Sequence, residues 1–193
     1  ENQMDFTHNF QVLNSSEILL AGEQGLRLLS RANDGTWSGT WAVSPKQYPD
    51  FKGASEVYTG KLKSATFIAT VEPFHGNQLV VYVTPSGSSA PAKRIVLTHE
   101  MREAHGLACG DLLNNGEDQI VIGWRGNKGG VRMWSAKNSD GTQWEESVID
   151  DGGMACENLR LADLDGDGRL DVVVSGRATH NLRIYFNRTD QHE

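Results

Sequence analysis

Residues 163–171 constrain the fold more than any other stretch of the sequence. They place Asp163, Asp165, Asp167 and Asp171 at positions 1, 3, 5 and 9 of a loop that two glycines allow to turn tightly. Hard cations such as Ca²⁺ bind six to eight oxygens in a flexible shell, and carboxylates on alternate residues of a tight turn supply them. We therefore predict a Ca²⁺ site formed by these four carboxylates and the backbone carbonyl of Arg169; the alternative is a solvated acidic turn.

The segments on either side of this loop favour strands over the helices of an EF-hand. The loop has no Glu at the twelfth position, which the EF-hand requires. Residues 158–162 precede it as a short alternating run, and the β-branched residues 172–174 follow it. The pattern indicates a cation loop between two antiparallel strands.

A related loop lies at residues 111–119, 52 residues earlier, and is followed by the same succession of strands. It has Leu113, Asn115 and Gln119 at positions 3, 5 and 9, so we expect it to bind no Ca²⁺. Two weaker copies precede it. Repeating units of four short strands, with a period of about 45–52 residues, are typical of propeller blades.

We predict an all-β fold in which residues 1–193 form a single β-propeller unit of four-stranded blades. The blades are expected at residues 8–44, 54–98, 103–150 and 156–187, with residues 3–6 closing the last blade. Trp37, Trp41 and Trp144 are expected to pack between blades. Because four blades are few for a propeller, the chain could be a small closed ring, half of a homodimeric ring, or part of a larger chain. The sequence starts at Glu1 and has no signal peptide, so the protein is either mature or excised from something longer.

Composition narrows the range of partners. The net charge is −7 and the isoelectric point is about 5.4, which argues against nucleic acid and anionic membranes. No apolar run is long enough to span a bilayer. The two cysteines, Cys109 and Cys156, make no disulfide framework and we expect no bridge, so they leave the redox compartment open.

The repeat brings titratable side chains to one face, opposite the calcium loop. This face collects the starts of the inner strands and the turns between the second and third strands of each blade: His8, Glu56, His105, Glu157, Glu72, His75, Arg125, Arg177, Thr179 and His180. Three histidines, with or without a Glu, form a ligand set that Zn²⁺ or a similar metal accepts with an open coordination position. We predict a zinc site from among His8, His75, His105 and His180; the alternative is a polar, water-filled channel mouth.

The loop at 163–171 and its flanking strands resemble the FG-GAP/VCBS class of propeller repeat, which is found in integrin-like and many secreted proteins. A narrower resemblance, carried by residues 67–77, 103–106 and 176–185, is to the propeller domain of aldos-2-ulose dehydratases. That resemblance spans most of residues 5–187 and implies channel zinc, a second structural cation and dehydration of a keto-sugar. The family's propeller has about twice as many blades, so part of the ring and some ligands could be absent here. We expect a secreted or periplasmic location.

Two functions from different classes follow. In the first, the chain is a metal-dependent sugar lyase, in which Glu56, Glu72 or Glu157 removes a proton next to a carbonyl and Arg177 anchors the substrate. In the second, it is a calcium-stabilised propeller without catalytic activity that binds a glycan or a protein partner. Retention of a transition metal after dialysis would distinguish the two.

Overall fold

The computed structural model describes residues 4–88, 90 and 92–188, and all their regular secondary structure is β-strand. The strands are β1 (Thr7–Asn14), β2 (Glu17–Gly22), β3 (Gly25–Arg31), β4 (Trp37–Val43), β5 (Glu56–Lys61), β6 (Ala65–Glu72), β7 (Gln78–Pro85), β8 (Lys93–Thr98), β9 (Ala104–Gly110), β10 (Gln119–Trp124), β11 (Gly130–Ala136), β12 (Trp144–Asp150), β13 (Cys156–Ala162), β14 (Asp171–Gly176) and β15 (Asn181–Tyr185). The described residues include no helix long and apolar enough to cross a membrane.

These strands form four small antiparallel meanders. The sheets have the order β1-β2-β3-β4, β5-β6-β7-β8, β9-β10-β11-β12 and β13-β14-β15, and they are numbered here as blades one to four. The predicted all-β propeller of four blades is confirmed. The first strand of each blade is the inner strand, and the inner strands of consecutive blades lie side by side: β1 with β5, β5 with β9, and β9 with β13.

The hydrophobic core is divided into three clusters, one between each pair of consecutive blades. Leu19 and Leu26 of blade one pack with Val80 and Tyr82 of blade two. The other two clusters join blade two to blade three and blade three to blade four in the same way. Within the described residues, no cluster of this kind joins blade four back to blade one. Consecutive blades therefore stabilise one another by burying the apolar faces of their sheets.

The last blade has three strands in the described part of the chain. Residues 3–6 were expected to supply its fourth strand, but Gln3 lies outside the described residues, and residues 4–6 form no strand. The Phe6 carbonyl instead accepts a hydrogen bond from Glu23 N of blade one, at 3.1 Å. Among the tryptophans, Trp144 packs between blades against Phe67 as expected, with ring centroids 5.2 Å apart. Trp37 and Trp41 remain 47% and 40% exposed on blade one.

Candidate metal centres

Three histidines from three different blades meet on the face predicted from the repeat. His8 lies near the start of β1, His75 in the turn between β6 and β7, and His105 near the start of β9. One ring nitrogen from each lies within 4.8 Å of the other two. The ring centroids of His8 and His75 are 4.3 Å apart, and His105 is 5.3 Å from both. We call this group the histidine cluster.

The turn conformation places His75 in the cluster. His75 has a φ of 52°, in the left-handed region, which His and Asn adopt more readily than most residues. Asn127 and His180 occupy the corresponding turns of blades three and four, with φ values of 56° and 50°. His180 is exposed and lies outside the cluster, so the structure does not support its prediction as a zinc ligand.

The backbone of blade two orients the His8 ring. His8 Nδ1 lies 2.8 Å from the carbonyl oxygen of Ser55 and 3.3 Å from Glu56 Oε1. A carbonyl oxygen only accepts hydrogen bonds, so Nδ1 carries a proton and Nε2 is the ring nitrogen through which His8 would bind a metal. A buried acceptor behind one ring nitrogen is the arrangement that fixes a metal-ligating histidine.

The electrostatics of the cluster favour neutral imidazoles. Burial lowers the pKa of His75, and electrostatic interactions with His8, His105 and Arg125 lower it further, against an opposing effect of Glu157. Burial also lowers the pKa of His105, against an opposing effect of Glu157. A metal ligand must offer an unprotonated nitrogen, so these residues fit the donor set of Zn²⁺ or a similar cation.

An arginine held by two glutamates borders the histidine cluster. Arg125 donates to Glu157 Oε2 at 2.7 Å and to Glu103 Oε2 at 3.0 Å. Burial raises the pKa of Glu157, but the hydrogen bond and charge of Arg125 outweigh that effect, so the pKa is lowered overall and the carboxylate stays ionised. The Glu157 side chain is 33% exposed, and Arg177 lies close enough to act on its charge. Glu157 and Arg177 thus lie near each other on the face that carries the histidine cluster, as the sequence predicts.

The other two predicted carboxylates are buried. Glu56 has a side chain that is only 3% exposed; burial raises its pKa to about 8, and Asn9 Nδ2 donates to Oε2 at 2.6 Å. Glu72 accepts hydrogen bonds from Thr70 and Tyr82 at Oε1 and from Arg94 at Oε2, within blade two. Because Glu72 is 1% exposed and both its oxygens accept hydrogen bonds from its own blade, the structure does not favour it as a catalytic base. Glu56 is positioned to support His8 rather than to contact a substrate.

The sequence analysis missed Asn9, Ser55 and Glu103. Asn9 follows His8 directly, and Ser55 precedes Glu56, so their proximity to predicted residues was the available signal. Ser55 contributes its backbone carbonyl, a role that no side-chain pattern reveals. Glu103 has a φ of 53° and precedes β9; nothing in the sequence singles it out.

The acidic loop of blade four forms a second candidate centre on the opposite face. One carboxylate oxygen from each of Asp163, Asp165 and Asp171 lies within 4.8 Å of the other two. Asp171 is fully buried and accepts hydrogen bonds from Leu164 N at 3.0 Å and Asn187 N at 2.8 Å. Gly166 N and Gly168 N donate to the two oxygens of Asp163. Backbone N–H groups therefore hold Asp163 and Asp171, and together with Asp165 these residues offer the carboxylate oxygens that a hard cation binds.

Asp167 lies beside this group. Its carboxylate forms ion pairs with the side chains of Arg169 and Arg188, and Arg188 also donates a hydrogen bond to Asp165 Oδ2 at 2.6 Å. The Arg169 guanidinium also donates to Asn187 O, at 3.1 Å. The two arginines compensate part of the negative charge, and the calcium-ligand roles of Asp167 and the Arg169 carbonyl stay predictions.

Comparison with known proteins agrees with the repeated-blade fold. Residues 111–174 match a family model described as FG-GAP-like repeat; they run from the loop of blade three into β14. No curated protein matches the chain. The structure is a four-bladed β-propeller in which residues 111–174 match the model of an FG-GAP-like repeat.

Proposed function

We propose that the histidine cluster holds Zn²⁺ or a similar transition metal, and that the protein is a metal-dependent lyase that dehydrates a keto-sugar. The observation that carries this proposal is the convergence of His8, His75 and His105 from three blades, with their ligand nitrogens within 4.8 Å of one another. Three imidazoles with open positions are the ligand set of catalytic zinc sites. When bound, the metal would polarise a substrate carbonyl and so acidify the adjacent C–H bond.

Among the predicted acidic residues, Glu157 is best placed to act as the base. It is ionised and partly exposed, whereas Glu56 and Glu72 are buried. It would take the proton from the carbon next to the carbonyl; the C–H electron pair forms the new double bond, and the hydroxyl on the following carbon leaves and becomes water on protonation by solvent. The net change is the loss of one water molecule.

Two arginines would orient the substrate. Arg125 is held by Glu103 and Glu157 beside the cluster, and Arg177 extends from the next blade on the same face. Guanidinium groups donate several hydrogen bonds in a fixed plane, which suits the vicinal hydroxyls and oxyanions of a sugar. The ion pair with Glu157 also fixes the position of the base.

The acidic loop would hold Ca²⁺ in a structural role. Its support is the convergence of Asp163, Asp165 and the buried Asp171. The loop joins β13 to β14, at the opposite ends of these strands from the histidine cluster, so this cation would stabilise blade four without contacting the substrate.

The test is elimination activity of the zinc-loaded protein on 2-keto-sugars, followed by the appearance of product one water lighter. His75→Asn should abolish activity, because Asn tolerates the left-handed turn but removes the imidazole. His180→Asn is the matched control, since its φ of 50° is close to the 52° of His75 and it lies outside the cluster. Full activity in His75→Asn would reject the proposal; glycan binding without turnover in every variant would identify a binding module instead.

A further inference from the structure

Within the described residues, the first and the last blade each have one sheet face that no other blade covers. The outward side of blade one, here the free face of blade one, is apolar across four strands: Phe10, Val12, Ile18, Leu20, Leu29 and Trp41. These residues share a side because directly paired residues of an antiparallel sheet do. Their partners on the other side, such as Leu19 and Ala21, pack against blade two. Phe10, Val12 and Trp41 are 55%, 61% and 40% exposed.

The free face of blade four is the side of its sheet that points away from blade three. It consists of Asn158, Arg160, Val173, Ser175, Leu182 and Ile184, while Leu159, Val172 and Val174 on the other side pack against blade three. Leu182 and Ile184 are 66% and 42% exposed. A blade following blade four would cover this face, and a blade preceding blade one would cover the other.

The internal repeat shows what the free face of blade one lacks. Phe10 lies two residues after His8, as Leu107 lies two after His105 and Leu159 two after Glu157. Leu107 and Leu159 are each 1% exposed because a preceding blade covers them, whereas Phe10 is 55% exposed. In blades three and four this position is covered by the preceding blade, whereas in blade one no sheet of the described residues covers it.

Arg27 gives an independent sign of a missing neighbour. It pairs with Leu20 in the same way that Arg183 of blade four pairs with Val174. Arg183 reaches across to the preceding blade and donates to Asp150 Oδ2 at 2.7 Å. Arg27 is 8% exposed and stacks on Trp41, yet its Nε has no hydrogen-bond acceptor and its Nη2 reaches only Gly39 O of its own blade. A buried guanidinium nitrogen without an acceptor is costly, and an adjoining blade would supply one.

We propose that a second copy of this chain covers both faces, so that two chains form one eight-bladed ring about a twofold axis along the channel. The free face of blade four would pack on the free face of blade one of the partner, at two identical junctions. Each junction continues the blade-on-blade packing already present at three places in the chain. Two copies give eight blades, within the usual range of four to eight, whereas three copies would exceed it. This assembly is independent of the proposed catalysis.

The test is the solution mass of the wild-type chain and of charged variants, by light scattering and analytical ultracentrifugation. The wild type should have twice the chain mass of 21.2 kDa. Val12→Lys and Leu182→Glu should each give folded monomers, because each places a charge in both junctions. Val148→Lys is the matched control, because this valine is 63% exposed on β12, away from both faces, and it should remain a dimer.

Mixing the two variants tests which faces meet. Val12→Lys with Leu182→Glu should form a mixed dimer, since one junction is then wild type and the other pairs Lys with Glu.

A wild-type mass of one chain would overturn the proposal and leave the faces to further blades of a longer polypeptide. Dimeric Val12→Lys would also overturn it, as would a Leu182→Glu protein that stays dimeric while Val12→Lys is monomeric, since blade one would then meet blade one. Circular dichroism of each variant verifies the fold, and a variant that unfolds is replaced by Phe10→Lys or Ile184→Glu on the same face.

Discussion

Gln119 and Asp171, the ninth residues of the loops in two successive blades, each accept a hydrogen bond from the backbone of their own loop. Leu113 N donates to Gln119 Oε1 and Leu164 N donates to Asp171 Oδ2, both at 3.0 Å. The amide makes this bond without a charge, whereas the carboxylate makes it beside Asp163 and Asp165. Blade three thus closes its loop with a neutral side chain, whereas blade four closes it with a carboxylate that lies beside two others.

The first prediction concerns calcium and the first residue of each loop. Asp111 and Asp163 each accept two backbone N–H bonds, so Asp111→Asn and Asp163→Asn should lower the Tm by similar amounts, roughly 2–4 °C. Added Ca²⁺ should raise the Tm of the wild type and of Asp111→Asn, and leave Asp163→Asn unchanged, because only the loop of blade four gathers three carboxylates. Scanning calorimetry with and without chelator measures this. Equal calcium responses in the two variants would remove the site from blade four.

A second prediction separates the buried carboxylate of blade two from the exposed one beside the histidine cluster. Glu72→Gln should destabilise the protein by about 3 kcal/mol, because it leaves Arg94 without its charged partner inside the blade. Glu157→Gln should change the free energy of unfolding by less than about 1 kcal/mol, because its ion pair with Arg125 is partly exposed.

Activity should respond in the opposite way. The zinc-loaded Glu157→Gln protein should lose its elimination activity on 2-keto-sugars, whereas folded Glu72→Gln should keep it. Chemical denaturation and the elimination assay, run on the same two proteins, provide both readouts. Loss of activity in folded Glu72→Gln, with activity kept in Glu157→Gln, would reverse the assignment of the base.

Acid should weaken the junction between blades three and four through Asp150. Burial raises the pKa of Asp150, but hydrogen bonds from Tyr185 Oη and Gly153 N, together with Arg183, lower it overall. Because the pKa of Asp150 is lower in the folded protein than its ordinary value of 3.8, the ionised carboxylate stabilises the folded state at any pH above about 3.8. This stabilisation is lost as the pH falls through the pKa of the folded state. Asp150→Asn should therefore cost about 1–3 kcal/mol at neutral pH and progressively less below pH ~4.

The neighbouring residue supplies the control for this pH dependence. Asp151 has a side chain that is 81% exposed, and its ion pair is with Arg132 of its own blade. Asp151→Asn should change the free energy of unfolding by less than about 0.5 kcal/mol at any pH. Urea unfolding from pH 2.5 to 7 compares the two variants, and a constant difference between wild type and Asp150→Asn across that range would contradict the account.

The sequence predicts the blades well because the repeat makes the same strand pattern visible several times. A Leu or Phe two residues after each of His8, His105 and Glu157 identifies the inner strands without structural information. The sequence also predicts that His75 and His105 share a face, since the blade order assigns turns and strand starts to one side. It does not separate His75 from His180, because the two occupy corresponding turns, in blades two and four, and which of them reaches His8 depends on how the blades are arranged in space.

Side-chain direction explains the other differences. Glu72 ends a strand beside the predicted face, yet Arg94 and Tyr82 in the neighbouring strands bind its carboxylate within the blade. Trp37 and Trp41 have the hydrophobic character expected of packing between blades, but in the described part of the chain no blade lies on that side of their sheet. Pairing across strands and the presence of a neighbouring blade are tertiary properties, and neither is encoded in the local spacing of residues.

The most direct test of the histidine cluster is the metal content of the purified protein after extensive dialysis without chelator, measured by mass spectrometry for the wild type, His75→Asn and His180→Asn. We predict about one equivalent of zinc, or of another transition metal, in the wild type and in His180→Asn, and at least a tenfold loss in His75→Asn. Calcium alone in all three proteins, or equal transition-metal content in His75→Asn and the wild type, would contradict a metal centre at His8, His75 and His105.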